Sequence, residues 1–290
     1  MRNRILLLLA AFVVFSSFVS DKPAYSLYNA KGKKVKFSQL IKQAQQADVV
    51  FFGELHNNPI SHWLQYELTL TLIQQFPGKV ILGAEMMEAD NQSALNAYLN
   101  DLISRDSLRK SARLWTNYKT DIEPLVNLAK ENRLPFIATN IPRSYASLVY
   151  RNGFEVLDTL PDDRKAFIAP LPVAYDPELP GYLNMLKMME GHGSPERAAF
   201  FPMAQAIKDA TMAWFIHQNY RDGHKFIHFN GAYHSDNYEG ILWYLQRLRP
   251  ELRVLTISTI ETGQPIVFPK EKRNVADFII AVPQSMTKTH

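Results

Sequence analysis

The chain has 290 residues, of which 47% are hydrophobic and 21% charged, and it contains no cysteine. This composition is typical of a globular protein, and the lack of thiols excludes disulfides, thiolate metal sites, cysteine nucleophiles, iron–sulfur clusters and lipid attached to a cysteine. The 32 basic and 28 acidic residues give a net charge of +4, which is too small to suggest nucleic acid as a partner.

The first segment predicts export. Arg2 and Arg4 precede an apolar run from Ile5 to Val19, which is shorter than the roughly 20 residues that span a bilayer. This pattern is typical of a secretory signal peptide over residues 1–20, followed by one domain over residues 21–290. Small residues end the segment without forming a clear cleavage motif, so an uncleaved anchor stays open as the alternative.

Short apolar runs then alternate with longer segments of helical period. The runs are Val49 to Phe52, Val80 to Leu82, Phe136 to Ala138, Phe226 to Phe229 and Val254 to Ile257. Such alternation predicts an α/β fold with a mostly parallel sheet and crossover helices.

The first crossover helix has a well-defined start, since Asn58 suits the N-cap and Pro59 the first helical position. A proline-rich stretch from about residue 161 to 202 interrupts the alternation and predicts a helical insertion. Departures of this length are more often functional than idle.

Two predicted strands end in the same spacing, in "DVVFFGELH" and "KFIHFNGAYH". Each has a glycine, which lets the backbone turn, and a histidine three residues later, in the loop where open parallel sheets bind ligands. We therefore expect His56, His234 and the strand-end carboxylates Glu54 and Glu85 to converge. Such a cluster could bind a divalent metal, act as general acid and base, or hydrogen-bond a ligand's carboxylates, although each residue alone could also cap a helix or bind loop amides.

The insertion contains a second candidate cluster, made of Tyr175, Tyr182, His192 and three methionines between residues 185 and 189. Tyrosine and histidine ligate haem iron in proteins, and methionine packs well against flat apolar ligands. The cluster therefore indicates haem as a ligand. A methionine stripe at helical spacing is also typical of an ordinary core, and that alternative stays open.

Five fragments carry a resemblance to a known family: "FFGELHNNPISH", "GAEMMEADNQ", "NIPRSYASLVYRNG", "QAIKDATMAWFI" and "NGAYH". In this order they resemble the ChaN-like haem-binding uptake proteins, a branch of the group that includes the Tiki proteases and erythromycin esterases. The resemblance spans roughly residues 48–250. It implies an exported α/β domain with a helical insertion that handles haem or iron in the cell envelope, together with envelope transport partners.

In ChaN itself two haems stack between two subunits, with each iron held by a tyrosine and a propionate met by a histidine of the other subunit. The resemblance therefore implies a homodimer around the ligand. The cofactor-binding candidates are Tyr175, Tyr182, His192, His56 and His234, of which the tyrosines follow from local context and not from a matched motif. Many such proteins are lipoproteins, but this chain has no cysteine to acylate.

The Tiki-type relatives imply a rival function. In them a GxxH pattern and acidic residues serve metal-dependent proteolysis. Glu54, His56, Glu85 and His234 would then hold a divalent ion that activates water for amide or ester hydrolysis. The paired GxxH motifs favour this hydrolase, and the methionine-rich insertion favours haem binding.

Overall fold

The structure is a computed structural model that describes residues 22–189, 195–264 and 266–290. The predicted signal peptide and His192 lie outside the described residues, so their predicted roles stay predictions. Within the described ranges, no helix is both long enough and apolar enough to cross a membrane.

The described residues form one seven-stranded sheet between layers of helices. The strands are β1 (Ser26–Asn29), β2 (Val49–Glu54), β3 (Val80–Glu88), β4 (Phe136–Asn140), β5 (Lys225–Gly231), β6 (Val254–Thr262) and β7 (Phe278–Pro283). Their order across the sheet is β1-β7-β6-β2-β5-β3-β4. Every pair is parallel except β1 with β7, which confirms the predicted mostly parallel α/β fold.

Within the described ranges, ten α-helices connect and cover the strands. They are α1 (Phe37–Ala44), α2 (Pro59–Gln75), α3 (Gln92–Leu99), α4 (Arg105–Ser111), α5 (Glu123–Glu131), α6 (Arg143–Asn152), α7 (Asp162–Lys165), α8 (Pro180–Met188), α9 (Pro195–Asn219) and α10 (Ile241–Leu248).

Helices cover both faces of the sheet, so both faces are buried. Successive side chains of a strand point to opposite faces and therefore enter different cores. Phe52 of β2 packs into a core with α1, α2, α3 and α5, whereas Phe51 packs into a second core with α9 and α10. The strands β2, β3, β4 and β5 are consequently largely apolar until they approach their carboxyl ends, as expected for a parallel sheet with helices on both faces.

The start of α2 is as the sequence predicted. The Asn58 side chain accepts hydrogen bonds from the amides of Ile60 and Ser61 at 3.0 and 3.1 Å, and Pro59 begins the helix. This cap fixes the loop that carries His56 against the carboxyl end of β2.

Three details differ from the sequence prediction. Glu85 does not end its strand, since β3 continues to Glu88 through an irregular register opposite β4. The stretch predicted as an insertion to about residue 202 contains α7 and α8, but α9 already begins at Pro195 and includes Pro202. The sequence prediction stopped at this proline because it cannot donate the helical hydrogen bond. The third difference is in the strands, since the sequence analysis identified five and the described residues form β1 and β7 in addition.

Candidate functional site

Glu54 and His56 form a hydrogen-bonded pair at the carboxyl end of β2. Glu54 Oε1 lies 2.9 Å from His56 Nδ1, and Gln65 of α2 donates its Nε2 to Glu54 Oε2 at 2.5 Å. Glu54 is buried, whereas 36% of the His56 side chain is exposed. The carboxylate therefore orients the imidazole from behind, and the rest of the ring reaches the surface.

The charges of this pair support each other. Burial alone would raise the pKa of Glu54, but contacts with His56 and His62 and the charges of both rings lower it to about 2. Burial alone would likewise lower the pKa of His56, but the hydrogen bond to Glu54 and the charges of Glu85 and Glu54 raise it above its ordinary value. The cationic form of His56 is thus stabilised relative to that of a free histidine.

A second charged cluster consists of His234 and the two carboxylates on either side of it, those of Glu85 and Asp209. His234 Nε2 lies 3.2 Å from Glu85 Oε1, and its Nδ1 contacts Asp209 of α9. Burial alone would lower the pKa of His234, but the charges of Glu85 and Asp209 raise it to about 10. Burial alone would raise the pKa of Glu85, but the charge and hydrogen bond of His234, the charge of His56 and the Gly231 amide together hold it well below its ordinary value. His234 is therefore a buried cation with two acidic neighbours.

Gly231 contacts both the Glu54–His56 pair and the cluster around His234. Its amide donates to Glu85 Oε2 at 2.7 Å, and a Cβ at this position would lie 2.8 Å from His56 Nε2. Gly53 plays a similar part, since its Cβ would lie 2.8 Å from the carbonyl oxygen of Ile257. Neither glycine has a left-handed backbone. They permit close approach of β2, β5 and β6, and the turning role that the sequence analysis gave them is wrong.

The four motif side chains, Glu54, His56, Glu85 and His234, all line one open cleft with a volume of about 1440 Å³. Its apolar lining includes Leu114, Trp115, Ile141, Ala146 and Ile260. The Trp115 ring lies against His56, with 5.0 Å between ring centroids and a steep interplanar angle. The cleft therefore combines an aromatic wall with ionised groups at the strand ends.

Basic side chains also line the cleft. Arg113 is neutralised by Glu88, 3.0 Å away, and by Asp90. Arg143, Lys208 and Lys272 also line the cleft, and they have no ion-pair partner within the described part of the chain. These three side chains could bind a ligand that has anionic groups.

The two tyrosines predicted as haem ligands, Tyr175 and Tyr182, do not line the cleft. Tyr182 is buried, and its hydroxyl donates to Asp209 Oδ2 at 3.3 Å. Burial and the charge of Asp209 raise the pKa of Tyr182 well above its ordinary value, which disfavours a tyrosinate. The Tyr175 ring packs 5.5 Å from it, and neither tyrosine is among the residues that line the cleft. Their predicted role as haem ligands is not supported by this placement.

The sequence analysis missed several residues of the site, of which Asp209 and Tyr233 matter most. Asp209 follows Gln205 by four positions, and both are buried on one face of the largely apolar α9. Charged residues are rarely buried without a partner, so this spacing could have indicated Asp209. Tyr233 lies within the "NGAYH" motif, lines the cleft and is 42% exposed.

The divalent-metal alternative receives no support from this arrangement. Both oxygens of Glu54 are engaged, by His56 and by Gln65, and His234 uses both ring nitrogens on carboxylates. Across the described residues, no three histidine, aspartate or glutamate side chains form a group suited to a metal ion.

An α/β sheet with a charged, partly aromatic cleft at the carboxyl ends of its strands defines a ligand-binding domain of the open-sheet class. The sequence matches the family described as haem-binding uptake proteins, ChaN, of the Tiki superfamily over residues 40–245. The chain therefore belongs to this family, as the motifs predicted.

Solved structures share the fold. The chain is similar to ChaN of Campylobacter jejuni, described as a structure of cofacial haem binding, with a TM-score of 0.66 and 17% identity over 88% of this chain and 96% of that one. It is also similar to a Bacillus cereus protein, with a TM-score of 0.50 and 12% identity over 85% and 91% of the two chains. Comparison with curated protein sequences found no significant match.

Proposed function

We propose that the protein binds haem in this cleft and handles haem or iron in the cell envelope. The observation that carries the proposal is the combination of an aromatic wall with unpaired cations in a cleft of about 1440 Å³. Haem is a flat apolar disc with two propionates and a central iron, so it needs both features. Membership of the haem-binding uptake family supports the same ligand.

The residues present fit haem in separate roles. Arg143, Lys208 and Lys272 would bind propionates, because cations form strong hydrogen bonds with carboxylates. His56 is favoured as a cation, so it would donate to a propionate and not ligate the iron. Tyr233 is the tyrosine found among the described lining residues, with its hydroxyl 2.7 Å from the Gly181 carbonyl oxygen. It therefore replaces Tyr175 and Tyr182 as the candidate iron ligand.

The proposal includes export, a homodimer and transport partners in the envelope. Export is supported by Arg2, Arg4 and the apolar run Ile5 to Val19. The dimer is supported by the openness of the cleft, since a flat ligand seated there would leave one face uncovered. A protein with this ligand would receive haem from one envelope component and pass it to another.

Absorption spectroscopy during haem titration of the purified protein tests the proposal. We expect saturable binding, and we expect Tyr233→Phe to change the haem spectrum because it removes the hydroxyl and keeps the ring. The matched control is Tyr182→Phe, which removes a buried hydroxyl outside the cleft and should keep the spectrum.

Two results would contradict these assignments. A protein that shows no saturable change with haem does not have the proposed function. If Tyr182→Phe changes the spectrum and Tyr233→Phe does not, the cleft is not where the iron is ligated. Stoichiometric zinc or manganese in the protein, with peptide or ester hydrolysis that depends on it, would instead establish the hydrolase.

A further inference from the structure

Two loops at one side of the sheet pack on each other. One is the turn after β1, and the other follows β6. The Asn274 amide donates to the Ala30 carbonyl at 2.8 Å. The Phe268 ring covers Gly32, where a Cβ would lie 2.5 Å from Phe268 Cδ1 and the backbone has a φ of +79°. The glycine is required for this contact, so the two loops form one continuous surface.

This surface is strongly basic. Six exposed cations share it with one carboxylate, Glu271, so its net charge is larger than the +4 of the whole chain, and the rest of the protein is slightly negative. A separation of charge this large creates a local field that attracts anionic surfaces. The basic surface consists of Lys31, Lys33, Lys34, Lys36, Lys270 and Arg273.

An apolar side chain protrudes from the same surface. Val267 is 68% exposed and directly precedes Phe268 in the second loop. Apolar groups within a field of lysines are typical of segments that lie at the boundary between lipid headgroups and acyl chains.

We propose that the basic surface docks on an anionic phospholipid bilayer, with the lysines on headgroup phosphates and Val267 at the interface. A nucleic acid would be attracted by the same cations, but it offers no place for the exposed valine, so the observations favour lipid. Lys272 lies in the second loop and lines the cleft, so docking brings the cleft next to the membrane. The proposal does not depend on which ligand the cleft binds.

Co-sedimentation of the full chain with vesicles tests this docking. The vesicles are phosphatidylcholine alone or an equimolar mixture with phosphatidylglycerol, and the readout is the ratio of bound protein between them. The apolar run Ile5 to Val19 should bind both kinds of vesicle equally. Its contribution therefore cancels in this ratio. Docking predicts that the ratio for the wild type falls as salt is added.

The test variant neutralises Lys33, Lys34, Lys270 and Arg273 by substitution with glutamine. We expect the ratio of anionic to neutral binding to fall at least about tenfold, because each basic residue near the surface contributes to attraction. The control variant removes the same number of exposed charges elsewhere, through Lys42→Gln, Lys79→Gln, Lys110→Gln and Lys119→Gln. It should bind as the wild type does, and circular dichroism should show both variants folded.

A second variant separates lipid from other polyanions. Val267→Ser should weaken vesicle binding several-fold and leave its salt dependence unchanged. The proposal is overturned if the four-charge variant keeps the wild-type ratio. It is also overturned if Val267→Ser has no effect while duplex DNA displaces the protein from vesicles, because the surface would then bind nucleic acid.

Discussion

The two histidines of the repeated motif differ in what surrounds them. His56 has a carboxylate on Nδ1 and packs on Gly231 with its other edge, and over a third of its side chain is exposed. His234 is buried between Glu85 and Asp209. A protonated imidazole at the cleft can bind an anion, whereas one held between two buried carboxylates joins α9 to β3. His56 is therefore the more accessible of the two at the cleft.

Gly231→Ala tests how far the site depends on close approach. The added methyl group would lie 2.8 Å from His56 Nε2, so the ring must move away from Glu54 or from the cleft. We expect haem affinity to fall about tenfold or more and the free energy of unfolding to fall by about 1–3 kcal/mol from overpacking. Haem titration and urea denaturation measure the two effects.

Gly263→Ala is the matched control, because a Cβ there would meet no atom within 4 Å. It should leave both haem affinity and stability at wild-type values. Wild-type haem binding by Gly231→Ala would show that the position of His56 is irrelevant to the ligand.

Loss of the proton from His234 should make the fold less stable at alkaline pH. Its pKa in the fold is about 10, raised above the ordinary value of 6.5 by Glu85 and Asp209 after burial is overcome. A pKa raised by folding contributes stability that is fully present below pH 6.5 and is lost as the pH rises towards 10. We therefore expect the urea midpoint of the wild type to decrease across this range.

His234→Gln should be less stable than the wild type at pH 7 by about 3–5 kcal/mol, since it leaves buried carboxylates without their cation. Its urea midpoint should also decrease less between pH 7 and pH 10. The control His224→Gln, at a half-buried residue in the turn before β5, should retain the wild-type pH profile. A His234→Gln profile parallel to that of the wild type would show that another group causes the alkaline decrease.

The motif residues could be predicted from the sequence because their positions follow from strand ends. Glu54 and His56 come at the end of a clear apolar run, and register then places Glu54 beside Gly231 of β5. Asp209 and Gln65 come from helices, and their contribution depends on how α9 and α2 pack on the sheet. No local pattern shows that packing, so the contacts of Asp209 with His234 and of Gln65 with Glu54 were not predicted.

At the scale of elements, the five predicted strands are present, because each is a buried parallel strand with an almost continuous apolar sequence. Strand β7, which lies next to the edge strand β1, was missed although it is also apolar, since it follows a long loop without a helix of its own. Its neighbour β1 pairs with it in the antiparallel sense. The β1 and β6 loops that form the basic surface come together only through this edge pairing, and periodicity along the chain does not show it.

The region predicted as an insertion illustrates the same limit. The sequence indicated a helix with tyrosines and methionines, and α8 is that helix. The methionine stripe faces two ways, since Met185 is buried and Met188 is 64% exposed. Tyr182 points into the protein, where its hydroxyl donates a hydrogen bond to Asp209. Composition indicated a ligand, but the partner on α9 determined where the side chain points.

For the whole molecule, the open cleft leads to a prediction about assembly. The cleft is open, so a haem that packed against its Trp115 would expose the other face to water. Burying that face stabilises the complex by about 25 cal/mol for each square ångström removed from water, and a second haem-loaded copy offers a matching apolar surface. We therefore expect haem to convert monomers into dimers.

Sedimentation velocity of the same protein sample before and after haem loading measures the change, with haem-free protein at equal concentration as the control. A species of twice the mass that appears only with haem, together with a Soret band altered by stacked porphyrins, is the expected result. A protein that remains monomeric at saturating haem would show that one chain covers its ligand alone.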